Sequence, residues 1–244
     1  MATTTMTPAM TPGQQNLIRI LVRCIEQVGE EFRYQGADER FWREADYVSR
    51  LFGLLWTDGY MYENCYGLGQ WSDFKVPLVH RELPTRTPSG RKREWYDLAL
   101  LDGENASKVA SDDIPDGKKW IAQMAENREI LVAVEVKIGW WDLSNPNNWS
   151  TPGGLGPAIV KLISNIKAGQ VKQGYILVFC AAKEHAEAGG ERPPYPWAEM
   201  KGNVPWLRGE WSRLPPDVRK NIYIYYVTDH PSDAEHHWIP SRPI

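Results

Sequence analysis

The sequence predicts an α/β fold with a mixed central sheet flanked by helices. Three observations lead to that class. Two amphipathic helical stretches open the chain. Two strand-like runs then flank a turn-forming basic stretch, as in a hairpin. A long β-branched run, a helical stretch and another apolar run follow in that order.

Residues 1–13 carry no basic n-region and no apolar h-region, and read as a disordered leader rather than a signal peptide. Residues 14–33 place Leu17, Ile20, Leu21, Cys24, Ile25 and Val28 at helical spacing. A second helix is expected over 38–56, with Asp38 as N-cap and an apolar stripe of Phe41, Ala45, Val48, Leu51, Phe52 and Leu55. The Gly-, Tyr- and Asn-rich stretch 57–73 reads as loop. Residues 74–83 read as a strand, with Pro77 arguing for an edge or a bulge. The basic connector 85–93 leads to a second strand over 94–102.

Residues 103–117 are polar and loop-like, and 118–129 suit a short helix. The run 130–141, ILVAVEVKIGWW, is expected to be a central strand. After a Pro/Asn/Gly-rich loop, 157–169 is helical, with Pro157 in the first turn and Gly169 at C′. Residues 173–182 form another buried strand, 183–215 an excursion of loop and short helix, and 221–229 a last strand before an irregular tail. No internal repeat or linker divides the chain, so 14–244 reads as one domain.

Composition sets the outer limits. The chain has 244 residues and a net charge of −3, so any polyanion site must be a local patch rather than the whole surface. No stretch is long and apolar enough for a membrane span. Cys24, Cys65 and Cys180 are widely spaced without a C-x-x-C pair, which argues against a disulfide framework or cysteine zinc site and suits a reducing cytoplasm. There is no P-loop and no G-x-S-x-G nucleophile motif.

The chemistry is expected where charges sit inside apolar strands. The pattern acid-x-Lys recurs at Asp73/Lys75, Asp116/Lys118, Glu135/Lys137 and Glu199/Lys201, and only Glu135/Lys137 lies deep in an apolar run. Strand period puts both side chains on one face. Asp97 sits in the neighbouring strand with the same apolar surroundings, Tyr-Asp-Leu-Ala-Leu-Leu. Burying such charges is costly unless they pair or bind a metal. Mg²⁺ (or Mn²⁺) suits one or two carboxylates, so Asp97 and Glu135 become ligand candidates, with the Val136 carbonyl beside them. Lys137 would orient the attacking water and stabilise negative charge at phosphorus.

These residues resemble the PD-(D/E)XK phosphodiesterase superfamily, the restriction-endonuclease-like fold. Tyr96-Asp97 stands for its "PD" element and Glu135-Val136-Lys137 for its "(D/E)XK". The resemblance covers about residues 38–182 and implies an αβββαβ core with 103–129 as an insertion. It implies a Mg²⁺-dependent nuclease acting on nucleic acid, DNA in preference to RNA. It also points to Glu44 as a further acid on the preceding helix, and to Gln170 or Gln173 near the following one.

Supporting candidates have plain alternatives. Arg86, Arg91, Lys92 and Arg93 would bind phosphates or form a solvated turn. Of Lys161 and Lys167, only one can reach the cleft, and Lys161 is the choice. His80 would support the centre or face solvent. The tail histidines, His230, His236 and His237, do not match a zinc spacing. Two other functions remain open: a catalytically inactive nucleic-acid-binding or assembly subunit, and a small-molecule nucleotide phosphodiesterase. A homodimer would suit a double-strand cutter.

Overall fold

The structure is a computed structural model and describes residues 10–35, 44–63, 66–68, 71–76, 78–84, 95–101, 130–139, 155–180, 203–228 and 237–243. Residues 1–9, Asp38, Phe41, Cys65, the basic connector and the segment 102–129 lie outside the described residues, whereas the end of the expected leader is ordered: α1 begins at Pro12, and the Thr11 N–H donates to Gln14 Oε1 while Thr11 Oγ1 accepts the Gln14 N–H.

Helix α1 (Pro12–Gln35) buries the whole expected stripe from Leu17 to Val28 and extends it to Phe32. Helix α2 (Glu44–Thr57) buries Tyr47, Val48, Leu51 and Leu55. Ala45 is exposed instead, because the sheet-facing stripe runs through Tyr47, one turn before Leu51.

The described residues of the stretch expected to be loop lie mostly in helix and strand. Asp58 caps a short helix α3 (Gly59–Glu63), its Oδ1 accepting the Tyr60 N–H at 3.0 Å and the Met61 N–H at 3.3 Å. Strands β1 (Tyr66–Leu68) and β2 (Trp71–Val76) follow as a separate antiparallel ribbon. The single strand expected over 74–83 is therefore two. Its second part, β3 (Val79–Pro84), belongs to the main sheet, and Pro77, which has no N–H to donate, falls between them.

The main sheet has the order β3-β4-β5-β6-β7-β8, with β4 (Trp95–Leu101), β5 (Ile130–Gly139), β6 (Val171–Cys180), β7 (Ile222–Thr228) and β8 (His237–Ile239). Strands β3 and β5 each pair antiparallel with β4; β5, β6 and β7 are parallel, and β8 returns antiparallel to β7. β3 takes the expected edge position. β8 corrects the irregular tail: Trp238 packs on Tyr225 with ring centroids 4.8 Å apart, and three residues are too few to reveal a period.

Helix α4 (Leu155–Lys167) connects β5 to β6 and ends before Gly169, whose φ of +73° is the left-handed conformation of a C′ glycine. Helices α5 (Asn203–Arg213) and α6 (Pro216–Arg219) precede β7.

Helices α1 and α2 cover one face of the sheet, where Phe32 meets Phe179 edge-on and Tyr47 stacks on it at 4.5 Å. Helix α4 covers the other face. There Gly174 lies under Leu162 so closely that an added Cβ would stand 3.1 Å from both leucine methyls. One apolar core runs from Leu17 to Ile239. No helix among the described residues is long and apolar enough to cross a membrane.

Candidate functional site

Glu135 and Lys137 alternate with Val134 and Val136 along β5, so both project from the face that α4 covers. Glu135 is buried, with 4% of its surface exposed. Asp97, the third residue of β4, lies level with Glu135 on the same face. The regular β4–β5 pairs end one step earlier, at Leu98↔Val134. Asp97 Oδ2 then takes over from the main chain and accepts the Val136 N–H at 2.7 Å. The strand on the other side of Asp97 is irregular too: Glu82 has φ 48° and interrupts the β3–β4 pairs.

Lys137 Nζ is the meeting point. It bends back over its own strand to donate to the Val136 carbonyl at 2.7 Å, and reaches Glu44 Oε1 on the first turn of α2 at 3.1 Å. Asp97 Oδ2 and Glu135 Oε2 each lie 3.8 Å from it. Three carboxylates from three separate elements thus surround one ammonium. Lys161, on α4, adds a second cation against Glu135 Oε1 at 2.5 Å. Its Nζ also donates to the Trp95 carbonyl at 2.7 Å and lies 5.1 Å above the Tyr96 ring.

Counting ionised groups, three acids face two lysines, which leaves one negative charge in excess around the buried Glu135. The proton affinities follow. Burial, reinforced by Asp97, outweighs the two lysines and pushes Glu135 up to about 7. Burial also raises Glu44, with Lys137 opposing and Asp97 adding to the rise. Burial pulls the Lys137 ammonium down, but Glu44, Asp97 and Glu135 together overcome it and its pKa is raised. Lys137 therefore stays cationic at neutral pH, while Glu135 holds its proton more firmly than an ordinary carboxyl, a proton that a metal cation would displace.

The donor set fits a hard divalent ion. Asp97 and Glu135 offer carboxylate oxygens beside the Val136 carbonyl, and Mg²⁺ draws its remaining ligands from water and phosphate. Among the described residues no group of three or more His, Cys, Asp or Glu side chains is arranged to hold a metal unaided.

The other sequence candidates separate clearly. His80 pairs with Ala99 and so shares the Asp97 face, two residues along. Gln173 is buried on the opposite face, where its Oε1 accepts the Tyr175 hydroxyl at 3.0 Å. The Gln170 carbonyl accepts the Ile130 N–H at the far end of β5. Neither glutamine joins the cluster, because both precede the strand residues level with Glu135. Arg86, Arg91, Lys92 and Arg93 lie outside the described residues.

Sequence reasoning did not find the Trp95 carbonyl or the Tyr96 ring as holders of Lys161. A backbone oxygen leaves no trace in residue type. The position of Lys161 did carry a signal: it falls between Ala158, Leu162 and Asn165, all buried on the sheet-facing side of α4.

No protein-family model, curated protein or solved structure matches this chain.

Proposed function

We propose that this chain is a divalent-metal-dependent nuclease that hydrolyses phosphodiester bonds in nucleic acid, with DNA as the expected substrate. The convergence of Asp97, Glu135 and Glu44 on Lys137 Nζ carries the reading. Internal ion pairs of this density are costly, and apolar replacements of similar size are often as stable, so a chemical use is the economical explanation. The succession α2, β3, β4, β5, α4, β6 is read as the αβββαβ core of the restriction-endonuclease-like fold.

Asp97 and Glu135 would hold Mg²⁺ or Mn²⁺, with the Val136 carbonyl alongside and Glu44 as a further ligand. The ion would supply Lewis-acid polarisation of the phosphoryl oxygens. Asp97 is pre-oriented by the Val136 N–H, which removes one rotamer choice before substrate arrives. Lys137, kept cationic by its three acids, donates a hydrogen bond to the attacking water and stabilises negative charge developing at phosphorus.

The test is cleavage of supercoiled plasmid, linear duplex, single-stranded DNA and RNA in Mg²⁺, Mn²⁺ or EDTA. Wild type is expected to cut only with the metal. Lys137→Ala and Asp97→Ala are each expected to lose roughly 10²-fold or more in rate. Undiminished cutting by either variant would sink the assignment.

One observation favours a second reading, a catalytically inactive nucleic-acid-binding or assembly subunit on the same scaffold. Each acid already has a partner inside the chain: Asp97 the Val136 N–H, Glu44 Lys137, and Glu135 Lys161. That reading expects salt-sensitive binding to nucleic acid and no cleavage with any metal.

A further inference from the structure

The two oxygens of Glu135 have different neighbours. Oε2 faces Lys137 across 3.8 Å, on the side of Asp97. Oε1 faces Lys161 at 2.5 Å. The Lys161 ammonium is further held by the Trp95 carbonyl at 2.7 Å and lies 5.1 Å above the Tyr96 ring. Its side chain is only 13% exposed. One carbonyl acceptor, one ion-paired carboxylate oxygen and an aromatic face therefore surround the Lys161 ammonium, which leaves it poorly placed to grip a substrate phosphate from solvent.

What surrounds Lys161 Nζ is a cation site in its own right. A buried carboxylate oxygen and a backbone carbonyl oxygen converge on one point, the hard-oxygen pairing that Mg²⁺ and Mn²⁺ prefer. We propose that the Lys161 ammonium occupies the second cation position of the centre, so that the chain takes one divalent ion where its oxygens would otherwise accept two. The inference rests on the metal-centre reading above and makes Lys161 a positioning residue acting through Glu135.

Charge gives the same result. With both lysines present the five groups sum to one negative charge, and one divalent ion already makes the sum positive. A second would enter against its like. Without Lys161 the four remaining groups sum to two negative charges, and both Glu135 Oε1 and the Trp95 carbonyl lose their cation. In a buried, weakly screened site such a difference weighs heavily. Lys161 would then do for Glu135 Oε1 what a second metal does in two-metal phosphodiesterases, namely neutralise it and hold it still.

The test is a count of bound Mn²⁺ per chain, made at pH 8 from the electron paramagnetic resonance signal of the free ion. Wild type and Lys161→Arg are expected to bind one ion at the centre. Lys161→Met and Lys161→Gln are expected to bind two, and Mn²⁺ should raise their melting temperatures more than that of wild type. Two ions in wild type or in Lys161→Arg would overturn the inference. So would a single ion in both neutral variants, or neutral variants that stay unfolded even in Mn²⁺, since a true cation position must be rescued by the metal. No Mn²⁺ in wild type would instead remove the metal-centre reading itself. A count of one in wild type and in both neutral variants leaves that reading intact and removes only the role given to Lys161.

Discussion

Glu135 is where burial and charge pull hardest against each other. Its carboxyl is raised from 4.5 to about 7, chiefly by burial and secondly by Asp97, against the pull of Lys161 and Lys137. Between those two pH values the folded chain holds a proton that the unfolded chain has released, so stability falls as pH rises through that window. The contribution of the protonated acid is complete below about 4.5 and gone above about 7. A tenfold difference in proton affinity between the folded and unfolded chain is worth about 1.4 kcal/mol, so the change across the window is of the order of a few kcal/mol. Denaturant titrations in EDTA at pH 5, 6, 7 and 8 are expected to show this decline in wild type and a flatter profile in Glu135→Gln. A wild-type-minus-variant difference that stays constant with pH would remove Glu135 as the titrating group. Mg²⁺ is expected to restore stability at pH 8 by binding the ionised form, an effect read as a rise in melting temperature that depends on ion concentration. The pair Glu135/Lys137 could be picked out in the sequence because an acid and a lysine two apart must share a strand face. Glu44 was reachable only through the family resemblance. The partnership of Lys161 with Glu135 was not legible, since it depends on how α4 crosses β5.

Among the elements, α1 and α2 dock on the sheet through aromatic contacts, and one contact leaves no room for change. A Cβ at Gly29 on α1 would stand 1.9 Å from the Tyr225 hydroxyl oxygen and 2.8 Å from Cζ of the same ring. Tyr225 is fully buried in β7, so its rigid ring cannot swing aside. Overpacking of this kind costs about 1–3 kcal/mol, so Gly29→Ala is expected to lower the denaturation free energy by that order while gaining helix propensity. An unchanged or raised midpoint would mean that α1 sits further from β7 than described. The same contrast between long and short elements explains what the sequence revealed. Helices α1, α2 and α4 and strands β4, β5, β6 and β7 are long enough for a period to repeat, and each was expected close to its observed bounds, save that the expected start of α2 at Asp38 lies outside the described residues. Helix α3, the β1–β2 ribbon and β8 are three to six residues long. They form through an Asp58 cap and through cross-strand pairing, and each is too short to repeat a period that would mark it. The division at Pro77 was only half visible: proline marked an edge or a bulge, but not that the chain leaves one sheet and enters another.

For the whole molecule, the net charge of −3 and the acidic excess at the cluster set the terms on which a polyanion can approach. An acidic chain gains little from long-range attraction to phosphate, so under the proposed function binding would have to come from a local positive patch and from the metal. Arg91, Lys92 and Arg93 are consecutive and precede Asp97 by a few residues, which makes them the densest positive run near the centre in sequence. If these three contact phosphates, replacing all of them with alanine should make log K fall less steeply with log salt, by about three in slope. Affinity for duplex DNA should drop for every sequence alike, because such contacts position the duplex without reading bases. Metal-dependent hydrolysis of a small phosphodiester such as a dinucleotide should be unaffected, since the proposed mechanism places that chemistry on Asp97, Glu135 and Lys137. Fluorescence anisotropy of a labelled duplex over a series of salt concentrations, with divalent ion and with EDTA, measures the first two effects; a dinucleotide assay measures the third. An unaltered salt slope would mean that the connector is a solvated turn and that phosphate binding lies elsewhere. Turnover of the dinucleotide combined with no polymer binding in wild type would move the substrate from nucleic acid to small nucleotides.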